Sequence, residues 1–193
     1  QYTYAGLGDE DTPFAGTITG QKPTIKVNRA FFGGLSSKAS VIAGQQIQWA
    51  GDGNSPMLAD SYVMDGADGT IPMTFTNGTG PIAGKIKGTG TFTVGDQIIY
   101  RDSVSVASNN HAGLICNTLE SGSVQITDQF SFPSNGYSVT ASAGNAGGLI
   151  GQMNTGTKLT ISKSAELDGL TVTASAGNAG GLAGQMDENA EII

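Results

Sequence analysis

Charge is scarce in this chain. Only 13% of its 193 residues are Asp, Glu, Lys or Arg, against about a quarter in ordinary soluble domains. Nine basic residues stand against sixteen acidic ones, for a net charge of -7. Neutralising phosphate takes clustered Lys and Arg, so nucleic acid and anionic membrane surfaces are excluded as partners. A single cysteine, Cys116, rules out an internal disulfide framework and an all-Cys zinc site. A single histidine, His111, rules out the paired helical histidines of a metalloprotease. No apolar run approaches the ~18 residues of a membrane span, so no membrane insertion is expected. No cofactor is expected either. Glycine, by contrast, is abundant at 30 residues, beside an apolar content of 38%. That is enough to fill an interior, and collagen and plain disorder fit poorly.

The chain resembles itself. Val139 to Met153 reads VTASAGNAGGLIGQM and Val172 to Met186 reads VTASAGNAGGLAGQM, 33 residues apart and different only at Ile150 against Ala183. Weaker copies of the Leu-x-Gly anchor lie upstream at Leu114-Ile115-Cys116, Ile82-Ala83-Gly84, Trp49-Ala50-Gly51 and Phe14-Ala15-Gly16. The anchors then start at 14, 49, 82, 114, 149 and 182, spaced by 32 to 35 residues. About ten residues after each anchor comes an alternating apolar triplet: Ile25/Val27, Phe92/Val94, Val124/Ile126 and Leu159/Ile161, with Ile192 opening the last. Six residues further lie Ile98/Tyr100, Phe130/Phe132 and Ala165/Leu167, and before the anchors sit Met73/Phe75, Val104/Val106, Val139/Ala141 and Val172/Ala174. Alternation of period two marks strands with one buried face. Glycine pairs such as Gly147-Gly148 argue against helix, where each Gly costs roughly 1 kcal/mol relative to Ala.

A unit of this length with three or four short strands predicts an all-β fold, a parallel β-helix of about six coils, each of 32–35 residues. The expected organisation is an N-terminal edge or cap over 1–13 and one β-helical domain over 14–193. An irregular loop should bulge outward over 52–69, where the second unit lacks a clean triplet. In such a stack Asn110, Asn145 and Asn178 fall at equivalent positions, where side-chain amides could bond along the axis. Gly151 and Gly184 fit a corner needing positive φ or close approach. Cys116 takes that Gly position in the fourth unit, as a small buried filler rather than a reactive thiol. The chain starts at Gln1 and stops at Ile193 within a strand pattern. Both features read as a segment that continues into further domains of a longer parent, because solenoid ends need covering.

Gly-Leu-Ile-Gly at 148 to 151 and Gly-Leu-Ala-Gly at 181 to 184, with His111-Ala112-Gly113-Leu114-Ile115-Cys116 as a degraded copy, resemble the GLUG motif of bacterial surface proteins. The resemblance covers the chain from about Ser103 onward. It implies a repeat region of a large secreted or cell-surface adhesin, or the non-catalytic part of an immunoglobulin-A-cleaving metallopeptidase. The implied location is extracellular and the implied partner a host glycan or extracellular matrix protein.

Three sets of residues are candidates for chemistry. Asp52, Asp60, Asp65 and Asp68 could gather oxygens for calcium, but no EF-hand spacing or bidentate Glu accompanies them, and a solvated acidic loop is the default. Asp9-Glu10-Asp11 reads as a surface run near a terminus. Asp96 and Asp128 fall one unit apart, near the separation that paired carboxylates need in a carbohydrate-active β-helix enzyme. Lys163 follows one unit on, where it could neutralise them, and Arg101 and Asp102 complete no constellation. Such an enzyme is the alternative to a non-catalytic module. Trp49 reads as core, while Tyr2, Tyr4 and Tyr62 are freer for ligand contact. Threonine pairs at Thr91/Thr93 and Thr171/Thr173 do not share a register position, which leaves an ice-binding face weakly supported.

Overall fold

The computed structural model describes residues 24–27, 32–36, 46–49, 53–64, 69–70, 74–94, 98–100, 104–127, 130–131 and 136–193. These residues form an all-β structure in which every paired strand runs parallel to its neighbour, with no helix among them. Six sheets are present, the largest built from Phe32–Ser36, Ala59–Met64, Ala83–Gly88, Cys116–Leu119, Ile150–Met153 and Ala183–Met186 in that spatial order. A five-stranded sheet runs from Gly69–Thr70 through Thr91–Val94, Ser123–Ile126 and Lys158–Ile161 to Glu191–Ile192. Val104–Ser108, Tyr137–Ala141 and Leu170–Ala174 make a third sheet.

The alternating triplets form the rows that fill the interior. Phe92 pairs with Val124, Val124 with Leu159, and Leu159 with Ile192. The first three of these side chains are fully buried. Between them Thr93, Gln125 and Thr160 point away and stay partly exposed. A second row runs Val106, Val139, Val172 and a third Ile86, Leu119, Met153, Met186. Each fully buried aliphatic or aromatic side chain of this kind contributes about 1.5–3 kcal/mol. Tyr62 packs edge-on against Phe92, with ring centroids 4.9 Å apart and planes at 75°.

The two near-identical stretches lie side by side, as their identity predicts. Tyr137 to Ala141 faces Leu170 to Ala174 residue by residue, Ala146-Gly147 faces Ala179-Gly180, and Ile150, Gln152 and Met153 face Ala183, Gln185 and Met186.

The N-terminal half departs from the expected register. In the six-stranded sheet Phe32 pairs with Ala59, Ala59 with Ala83, Ala83 with Cys116, Cys116 with Ile150 and Ile150 with Ala183. The spacing is near 33 only from Ala83 onward, and the two earlier steps are 27 and 24. Trp49 does not occupy the anchor row at all. It pairs with Val27 in a four-stranded sheet with Thr74–Gly78 and Ile98–Tyr100. Ile98 pairs with Phe75 there, instead of joining Phe130 and Ala165, which pair with each other.

Of the outward loop expected over 52–69, residues 57–64 do not bulge outward, while Asp52 and residues 65–68 lie outside the described residues. Ala59–Met64 is an interior strand of the six-stranded sheet, and Met57, Leu58 and Ala59 are fully buried. An apolar triplet records that a strand has a buried face but not which sheet owns it, and upstream no sequence identity breaks that tie. Residues 1–13, including Asp9, Glu10 and Asp11, and the anchor at Phe14 lie outside the described residues.

Candidate functional site: an amide corner

Among the described residues, the densest set of side-chain hydrogen bonds sits where Ala146–Gly147 and Ala179–Gly180 turn toward the six-stranded sheet. Asn145 is 8% exposed and Gln152 7%, and burying an unpaired amide costs about 1–3 kcal/mol. Both are bonded. Asn145 Nδ2 donates to Gln152 Oε1 at 2.7 Å and to Gln185 Oε1 at 3.2 Å. Asn178 Nδ2 donates to Gln185 Oε1 at 3.1 Å. Gln152 Nε2 and Gln185 Nε2 both donate to Asp187 Oδ1 at 3.0 Å. The Asn178 backbone N–H donates to Asn145 Oδ1 at 2.9 Å. Donors and acceptors thus alternate along the stack, and a chain of that kind is mutually polarising.

His111, and not Asn110, is the partner of Asn145 in the neighbouring position. The Asn145 backbone N–H donates to His111 Nδ1 at 3.1 Å, the same bond that Asn178 makes to Asn145. Asn110 is exposed one residue away, its own N–H donating to Ser108 Oγ. The cause is loop length. Ser108 pairs with Ala141 but Ala112 with Ala146, so the bend after Ala141 holds one residue more than the bend after Ser108. The same slip moves Cys116. It pairs with Ile150 and Ala83, a fully buried row, while Asn117 falls opposite Gly151.

Gly151 and Gly184 keep ordinary φ angles, so close approach alone demands them. A Cβ on Gly151 would lie 2.6 Å from the Asn117 carbonyl oxygen, and one on Gly184 2.6 Å from that of Gly151.

The chemistry available at this corner is hydrogen bonding. Its amides are neutral, and Asp187 Oδ1 accepts from two of them. The thiol of Cys116 is fully buried and burial pushes its pKa up, holding it in the un-ionised, unreactive form. His111 accepts through Nδ1, which places its proton on Nε2.

Burial lowers the pKa of His111 below its ordinary value, and the negative charge of Asp187 opposes the shift without cancelling it. A depressed folded pKa means that the unfolded chain takes up the proton first as pH falls through about 6.5. This group's contribution to stability is therefore present above that pH and declines toward the lower folded value. His111→Asn keeps an acceptor for the Asn145 N–H, as Asn145 does for Asn178. It should flatten that part of the profile with little loss at pH 7.5. Urea midpoints of both chains at pH 7.5 and 5 check this, since the carboxylates they share drop out of the difference.

Few of the other sequence-predicted residues fall among the described ones. Tyr2, Tyr4, Asp52, Asp65, Asp68, Asp96, Arg101, Asp102 and Asp128 lie outside the described residues. Tyr62 is not free for a ligand: it is 3% exposed, inside the core. Asp60 is exposed on strand Ala59–Met64, and Lys163 is exposed beyond Lys158–Ile161. No group of three His, Cys, Asp or Glu gathers among the described residues, and no helix among them is long and apolar enough to cross a membrane. Gln152, Gln185 and Asp187 were not singled out from the sequence. Their signal was present as an Asn and a Gln seven residues apart in both copies, Asn145 with Gln152 and Asn178 with Gln185.

The chain matches no known family model, no curated protein and no solved structure.

Proposed function

We propose that the chain is a parallel β-helix that serves as a stiff, non-catalytic spacer in a bacterial cell-surface or secreted adhesin, its loops contacting host glycan or extracellular matrix protein. The observation that carries this is the residue-by-residue parallel pairing of two near-identical stretches, Tyr137–Ala141 on Leu170–Ala174 and Ile150–Met153 on Ala183–Met186. Stacking equivalent residues buries one continuous row per inward position and bonds each strand along the axis, so bending would break many contacts together. The amide corner adds a polar rail of the same direction, buried at Asn145 and Gln152 and exposed at Asn178 and Gln185. The GLUG resemblance of residues 148 to 151 and 181 to 184 supports the extracellular setting.

The test has two arms. On glycan and matrix-protein arrays the folded chain should bind a definite ligand class, and blank arrays with an intact fold refute the adhesive part. Incubated with a panel of polysaccharides, it should release no product. Release that disappears in Asp96→Asn or Asp128→Asn would refute the non-catalytic part in favour of a carbohydrate-active enzyme.

A further inference from the structure

Two bends at the amide corner hold equivalent positions and are fastened by the same kind of bond. The Asn178 N–H donates to Asn145 Oδ1 at 2.9 Å, and the Asn145 N–H donates to His111 Nδ1 at 3.1 Å. Their acceptors differ in one respect. An amide oxygen accepts at any ordinary pH, whereas an imidazole nitrogen accepts only while it carries no proton. Once Nδ1 is protonated, two donors face each other where one hydrogen bond stood. Asn145 is buried, and a buried N–H without an acceptor is costly. The bend cannot move inward to find another, because Gly144 lies against the backbone of Asn110, where even a Cβ would collide. Outward it is open, since Ser142 and Ala143 are exposed.

We propose that His111 is an acid-operated latch: protonation of Nδ1 unfastens the bend over residues 142–145 and leaves the paired strands on either side of it in place. The release stays local because the other bonds of the bend do not titrate. The Ser142 N–H donates to the Ser108 carbonyl and the Ala112 N–H to the Asn145 carbonyl, each at 2.9 Å. The Asn145 side chain is held separately, through Nδ2 to Gln152 and Gln185. Asp187 is the charged group that acts on the ring. Its Oδ1 accepts from Gln152 and Gln185, and its charge favours the imidazolium. Burial opposes that charge more strongly, so the latch is closed at neutral pH and opens below the ordinary histidine range. The equivalent bend over 175–178, fastened on an amide oxygen, has no such dependence. The latch follows from the bonds of the corner and does not depend on an adhesive role.

The experiment follows hydrogen exchange of the Asn145 and Asn178 amides in the full chain by NMR between pH 7.5 and 4.5, each rate divided by that of an unstructured peptide at the same pH. Protonation of His111 is read from its ring nitrogen shifts in the same samples. Protection of Asn145 should fall at least tenfold as Nδ1 takes up its proton, while that of Asn178 stays within about twofold. In His111→Asn, which keeps an acceptor that does not titrate, Asn145 should remain protected throughout. The proposal is overturned if the ring stays neutral down to pH 4.5, or if Asn145 keeps its protection with the ring protonated. It is equally overturned if both amides lose protection together, or if the His111→Asn chain loses it over the same range.

Discussion

Gly148→Ala is expected to destabilise the chain by about 3 kcal/mol or more, and Gly181→Ala to change stability by no more than about 0.5 kcal/mol. The two glycines hold the same place in the two near-identical stretches and neither has a positive φ. Their difference is therefore one of space. A Cβ on Gly148 runs into the carbonyl oxygen of Gly181 and lies 2.8 Å from Leu170 Cδ2. The leucine can move, but the carbonyl directly follows the neighbouring strand Ala179–Gly180 and cannot move without disturbing the Gly148 N–H bond to the Gly180 carbonyl, 3.1 Å long. On Gly181 a Cβ meets nothing within 4 Å. Urea unfolding of both variants checks this, and equal midpoints would mean that the strands do not approach as closely as the backbone shows.

Phe92→Ala should cost about 3–5 kcal/mol. The ring is fully buried, sits in register with Val124 and meets Tyr62 edge-on, so its loss leaves a cavity whose walls are held by main-chain pairing on both sides. A lower urea midpoint with an unchanged slope is the expected result, since the cavity changes stability and not the surface exposed on unfolding. A cost below 1 kcal/mol would show that the neighbouring rows collapse into the space.

These expectations bear on how far each feature could be read from the chain. The rows Phe92, Val124, Leu159 and Val106, Val139, Val172 were legible because alternation states burial directly and the repeat states the partner. The amide corner was half legible. Asn145 and Asn178 stand out as recurring residues, but their partners Gln152 and Gln185 recur just as regularly and look like ordinary polar surface until the strands meet. His111 was masked by a one-residue difference in bend length, which shifted the apparent alignment from His111 to Asn110 and from Asn117 to Cys116. Upstream of Ala83 the strands share no sequence with the later units, so Trp49 could be read as apolar without revealing its sheet, and Ala59–Met64, which lacks a clean alternating triplet, reads as a loop.

By itself the sequence determined that the chain is β-rich, that two stretches 33 residues apart are equivalent, and which faces of their strands turn inward. Alternation and identity are properties of the chain that no neighbour can alter. Only the tertiary structure decided that Ala59–Met64 lies within a sheet, that His111 continues the asparagine rail, that Tyr62 is core, and that Gly148 has no room for a Cβ where Gly181 has. Those outcomes depend on which strand lies alongside and how near its carbonyls come, and a local pattern of residues carries no record of either distance.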